Sequence, residues 1–253
     1  MKKYKLTEET IIVNGRTLYR IEALRDFANI KKGDKGGFVE KENNLSQYGD
    51  SWVYDDAKVF GNAVVCGYAR VRGYAQVCGN AQVYGHASVR GNAEVYGSAE
   101  ISGDAQVYDE AKVYDNAEVY DNAEVLGNAE VYDNAKVFEN AEVSFDAKVY
   151  DDAKVYEYAM VQGNARVYGN AEIRTNACIY GDAVIDSIGD YIVFKNFWSS
   201  GRSFTWTRSN DMWKVGCFYG TGEELIKKAY KESEISGREY ERIVKYVETI
   251  KGK

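Results

Sequence analysis

Val167-Tyr168-Gly169-Asn170-Ala171-Glu172 is one unit of a pattern that fills the middle of this 253-residue chain. Valine or isoleucine recurs every six residues, from Val53, Val59 and Val65 through to Ile173, Ile179 and Ile185, without an insertion. An alanine follows each of them four positions later, from Ala57 to Ala183, and between the two stands a Gly/Asp then Asn/Asp pair. Six is not a helical period, because at 3.6 residues per turn the valines would wander over every face of a helix. It suits a short strand, a corner and another short strand. The valine points inward, the alanine fits the corner, and Gly, Asn or Asp supply the positive φ that a sharp corner requires. Three such units close a triangular coil of 18 residues. About seven coils, at roughly 4.8 Å per rung, predict a prism about 35 Å long.

The flanks read differently. We divide the chain into an N-terminal cap (1–48), the repeat (49–187) and a C-terminal α+β cap (188–253). Stacked coils leave open strand edges at both ends, and uncovered edges invite association. Residues 11–19 carry Asn14-Gly15 between extended runs, which predicts a hairpin. Aromatic and polar residues alternate around Ser209-Asn210-Asp211, which predicts another. Two helices follow. Thr221 with Glu224, and Ser236 with Glu239, have capping-box spacing, and Ile243, Val247 and Ile250 form an apolar stripe on the second helix.

Bulk composition narrows the function classes. The chain has no proline, 22 tyrosines, one histidine and a formal net charge of −7. An acidic chain is not expected to be a general nucleic-acid binder, which needs basic surface to replace phosphate counterions. No apolar run reaches membrane-spanning length and no segment resembles a signal peptide, so a cytoplasmic location is expected. Cys66, Cys78, Cys178 and Cys217 have neither paired nor CxxC spacing, so no metal site is expected.

The aliphatic residue followed four positions later by a small one resembles the hexapeptide-repeat superfamily. That resemblance implies a mainly β fold, a single-stranded left-handed β-helix, here with an N-terminal β-hairpin cap and a C-terminal α+β cap. The lead-in Asn14-Gly15-Arg16-Thr17-Leu18-Tyr19-Arg20-Ile21, with Lys32 to Glu40 and Asn44-Leu45-Ser46, is similar to that of phage and prophage hexapeptide-repeat proteins, some of them described as acyltransferases by fold analogy. The resemblance implies self-association through flat faces, commonly as a parallel homotrimer.

Unrolled into 18-residue coils, the chain shows columns of outward side chains. One face reads Tyr96, Tyr114, Tyr132, Tyr150 and Tyr168, a tyrosine ladder expected to be an interface. Beside it runs an alternating-charge ladder, Glu94, Lys112, Glu130 and Lys148. The corners carry an acidic edge, with Asp115, Asp133 and Asp151 in one column and Asp121, Glu139 and Glu157 in another. Asp as a turn former explains that edge; attraction of a basic partner is the sharper reading.

For catalysis the one candidate base is His86, in a corner with Tyr68 one coil before and Asp104 one coil after. A carboxylate beside an imidazole is the arrangement a general base needs, although a solvated corner histidine needs no role at all. Acyltransferases of this fold use a histidine against a CoA thioester. The expectation is therefore a non-catalytic scaffold without a cofactor. It self-associates and binds a host protein or a small signalling ligand, with antagonism of host defence as its purpose. The alternative is a CoA-dependent acyltransferase using His86.

Overall fold

A computed structural model describes residues 2–251; the outermost cap positions, 1, 252 and 253, lie outside that range. Between Trp52 and Ile185 the chain is a parallel β-solenoid of two-residue rungs, Trp52–Val53 to Val184–Ile185. Each rung pairs with those 18 residues away, so Val95 lies between Val77 and Val113. Three sheets form the faces of the prism. The tyrosine face belongs to an 11-stranded sheet that includes the N-terminal strands. The second face has seven strands, from Val64–Val65 to Glu172–Ile173, and the third has eight, from Trp52–Val53 to Cys178–Ile179. The solenoid thus makes about eight turns, one more than expected, and matches the hexapeptide-repeat β-helix architecture. Every repeat valine, isoleucine and alanine is fully buried or nearly so. Full burial of one such aliphatic side chain contributes about 1.5–3 kcal/mol before chain entropy is subtracted.

The corners depart from expectation in one respect. Only the first residue of each Gly/Asp–Asn/Asp pair is left-handed: Gly97 has φ 70°, Asp115 57° and Asp133 55°. The Asn at the next position is not among the positive-φ residues; it forms a side-chain ladder instead. Asn116 Nδ2 donates to Asn134 Oδ1 at 3.2 Å, and Asn134 Nδ2 to Asp152 Oδ1 at 3.1 Å. Asparagine is there to bond along the stack.

Outside the strand pairs, the bonds between coils run one way. Amides of an earlier coil donate to carbonyls of the next, as Tyr54 N–H does to Val71 O and Asp56 N–H to Gly73 O. The first coil therefore presents surplus carbonyls and the last coil surplus amides, and each cap has the matching chemistry. At the start, strands β1 (Tyr4–Val13), β2 (Arg16–Ala23) and β3 (Lys35–Val39) form an antiparallel sheet, and β3 pairs in parallel with the Lys58–Val59 rung. The β1–β2 turn is at Asn14 (φ 50°) and Gly15 (φ 75°), as the sequence predicts. Donors from this cap meet the carbonyls. Lys3 Nζ reaches Ser51 O at 2.8 Å, Asn44 Nδ2 reaches Ala63 O at 2.8 Å, and the Phe38, Glu40 and Ser46 amides reach Ala57, Val59 and Val65. Trp52 is buried against this cap, with Tyr4 and Phe27 edge-on to it.

At the other end acceptors dominate. Thr205 Oγ1 accepts from Cys178 N–H at 2.9 Å and Ser209 Oγ from Val184 N–H at 2.7 Å. These hydroxyls belong to an antiparallel sheet, Tyr191–Lys195, Ser203–Thr207, Met212–Val215 and Phe218–Gly220, with a core of its own around Phe204, Trp206 and Trp213. Helices α1 (Gly222–Glu232) and α2 (Glu234–Ile250) pack on it through Leu225, Tyr240, Val244 and Val247. Thr221 and Glu224 form the predicted capping box. Helix α2 starts three residues earlier than Ser236–Glu239 suggested, because Ser233 serves both helices: its amide donates to Ala229 O and its hydroxyl accepts from Ser236 N–H at 3.0 Å. Ser236 is consequently a buried first-turn residue, and Glu239 pairs with Arg242.

Candidate functional site

The tyrosine face is built by the repeat itself. In Val-Tyr the valine points in, so the next side chain points out, and coils 18 residues apart place those rings one above another. Tyr96, Tyr114, Tyr132, Tyr150 and Tyr168 stack with centroids 4.8, 4.9, 5.0 and 5.1 Å apart and planes within 2–9° of parallel. Their π-faces cover one another, so solvent meets a row of ring edges and hydroxyls, each residue half-buried. Burial raises the phenols of Tyr96, Tyr114, Tyr132 and Tyr150: Tyr132 is pushed up to about 12, and Tyr114 is raised further because its hydroxyl also donates to Glu130 at 3.0 Å. The adjacent charge column is in register, and Glu130–Lys148 closes as an ion pair at 2.8 Å. A shorter ladder, Tyr120, Phe138 and Tyr156, stands on the second face.

The acidic edge has structural partners at some of its positions. Asp133 Oδ2 accepts from Asp151 N–H at 3.3 Å, and Asp151 Oδ2 from Gly169 N–H at 3.1 Å. An aspartate in the left-handed corner thus bonds to the corner amide one coil on. Asp115 stands in the same column, and Asp121, Glu139 and Glu157 occupy the left-handed position of the next corner.

His86 is exposed and its ring stacks on Tyr68, 4.6 Å between centroids and 4° between planes. Among the described residues no hydrogen bond or ion pair joins His86 to Asp104, so the ring is oriented by an aromatic neighbour and not by a carboxylate. Burial holds three of the thiols back as nucleophiles: it pushes Cys178 up to about 11 and raises Cys66 and Cys78 as well. No group of three His, Cys, Asp or Glu side chains gathers to hold a metal ion among the described residues. In the C-terminal cap, a cleft of about 280 Å³ is floored by Val215, Leu225, Ala229 and Tyr240, with Arg202 and Lys228 at its mouth.

Two features escaped the sequence reading. Lys3 is completely buried, which nothing in its surroundings along the chain announces. The third face carries a basic patch between acidic coils: residues 49–56 before it hold Asp50, Asp55 and Asp56, and residues 103–110 after it hold Asp104, Asp109 and Glu110. Residues 67–74 and 85–92 carry Arg70, Arg72 and Arg90 with no acidic residue, while residues 121–128 and 139–146 carry Glu124 and Glu142 with no basic one. None of these five is in an ion pair among the described residues. Counting charges coil by coil, instead of over the whole chain, would have revealed it.

A scan against protein-family models and a search of curated proteins each found no match. No helix among the described residues is long and apolar enough to cross a membrane.

Proposed function

We propose that this chain is a non-catalytic binding scaffold that associates with copies of itself through the tyrosine face. The observation that carries the reading is the five-tyrosine ladder, in register and half-exposed on a flat sheet. Tyrosine is enriched at interfaces because a ring with two χ angles presents a large contact surface at small entropic cost. A rigid stack adds to this, since its side chains are already ordered before any partner arrives. A host protein or a small signalling ligand held between subunits is the partner this reading assigns. A phage-type role against host defence follows from the similarity of residues 14–46, and from nothing else.

Replacing Tyr114, Tyr132 and Tyr150 together by Ser should lower the mass of the assembly in sedimentation while the far-ultraviolet spectrum stays that of a β-solenoid. An unchanged mass retires this face as the self-contact. The acyl-transfer alternative rests on His86, and calorimetry of the unmodified protein with CoA decides it: no binding means no such enzyme.

A further inference from the structure

We propose that the cleft in the C-terminal cap binds a small organic acid, a carboxylate on a short apolar body. Several elements meet there. Helix α1 lines it with Leu225, Lys228, Ala229 and Glu232, whose spacing of three and four residues puts them on one side of the helix. Leu225 and Ala229 are buried in the floor, and the two charged residues stand exposed at the rim. Val215, the last residue of the strand Met212–Val215, and Tyr240 of α2 complete the floor. Arg202, also exposed, comes from the segment that precedes the strand Ser203–Thr207.

Two small residues help to keep the space open. Ala229 stands where a longer side chain would fill the floor. Gly216 and Cys217 join Val215 to Phe218 in a tight turn, with Gly216 left-handed at φ 55°. A Cβ on Gly216 would lie 3.8 Å from Cδ and an Nη of Arg202, so the guanidinium rests against this turn at the cleft mouth. The volume of about 280 Å³ is at the low end of ligand pockets. At about 30 Å³ for each water-sized group it takes roughly nine of them, enough for a short chain or one ring.

The charges at the rim choose the head group. On α2, Arg238, Arg242 and Lys245 each close on a glutamate three or four residues away. Arg202 and Lys228 close on no carboxylate among the described residues, although Glu232 lines the same cleft. Lys228 lies over the Phe218 ring instead, at 5.4 Å. Two cations against one carboxylate leave a single positive charge, which a monoanion offsets and a phosphate dianion exceeds. The guanidinium offers a planar fork of donors that matches a carboxylate. An apolar floor under that fork selects an acid with an apolar tail over a bare anion.

Every wall of the cleft belongs to one chain, so the site goes beyond the scaffold reading and needs no second subunit. Octanoate is the probe, followed by calorimetry, and it should bind at a single site per chain. Octanol, without the charge, should bind at least about tenfold more weakly. Arg202→Gln and Lys228→Gln replace exposed side chains, leave the fold intact, and should each weaken octanoate by about tenfold. Ala229→Leu should abolish binding with the far-ultraviolet spectrum unchanged; should it unfold, the two glutamine variants still decide. Cys217 lines the cleft and its thiol is exposed, so bound octanoate should slow its alkylation by iodoacetamide. The Tyr114/Tyr132/Tyr150→Ser protein should bind octanoate as the unmodified protein does, whatever its mass in sedimentation. No binding at millimolar octanoate, equal affinity for octanol, indifference to both glutamine substitutions, or an unprotected Cys217 overturns the proposal. Loss of binding in the serine variant also overturns it, because the acid would then sit between subunits.

Discussion

Lys3 shows what one residue contributes to closing the stack. Its amine is enclosed beneath the first coil, donating to Ser51 O at 2.8 Å, and burial followed by the charge of Arg25 lowers it to about 8. An unfolded lysine titrates near 10.4. Between about pH 8 and 10.4 the unfolded chain therefore holds a proton that the folded chain has released, so stability rises with pH across that window. This contribution is complete above the unfolded value and disappears as pH falls through about 8. The tyrosines act oppositely: Tyr108 and Tyr132, raised to about 12, lose stability as pH rises past the unfolded value near 10. Melting temperatures at pH 7.5 and 9.5 isolate Lys3. The unmodified protein should gain on Lys3→Met between the two, and parallel behaviour of the two proteins would show that the amine is not perturbed. A lone lysine near the N-terminus looks solvated in sequence; only the polarity of the finished coil gives it carbonyls to meet.

At the scale of the corner and rung, the periodicity made the fold legible because a single rule repeats. Valine in, alanine in and a left-handed residue between them can be read from one hexad and checked in all the others. The split of roles within the Gly/Asp–Asn/Asp pair was not legible, since Asn tolerates left-handed backbone as well as Asp does. The structure separates them by reach: aspartate bonds to the amide one coil on, and asparagine to the asparagine one coil on. That distinction predicts unequal responses to glycine. Glu157 is left-handed at φ 60° and its carboxylate accepts no hydrogen bond among the described residues. Left-handed backbone costs roughly 1–2 kcal/mol and glycine's extra unfolded freedom roughly 0.5–1, so Glu157→Gly should stabilise by up to about 1 kcal/mol. Asp133→Gly loses a bond worth about 1 kcal/mol and should gain nothing. Denaturant midpoints check both, and equal shifts would mean that the aspartate bonds are immaterial. The same rung logic explains why the tyrosine ladder could be foreseen whereas the orientation of its rings, edge outward, could not: stacking is set by the 4.8–5.1 Å spacing of the coils.

For the whole molecule, the decisive asymmetry is between its ends. The first coil presents surplus carbonyls and the last surplus amides, each beside an apolar layer of valine and alanine. Side-chain donors cover one end and hydroxyl acceptors the other. A need for caps was evident from the exposed edges of any solenoid, and the aromatic residues after Asp190 marked the C-terminal one, although Phe197 stays 85% exposed outside its core. The chemistry of each cap depends on chain direction and was not visible in composition. Truncation after Ile185 uncovers the last apolar layer and its amides, so that protein should aggregate through this end. With the N-terminal cap still in place, its aggregates have no acceptor-rich end to add to and should stay short or amorphous. Removing residues 1–48 as well makes the two ends complementary, and the bare repeat should then grow head to tail into fibres with a diffraction spacing of about 4.8 Å along the axis. Electron microscopy of the two truncations tells them apart. A singly truncated protein that remains soluble at unchanged mass would show that the C-terminal segment serves recognition alone, and fibres from it would show that the N-terminal cap does not seal the first coil.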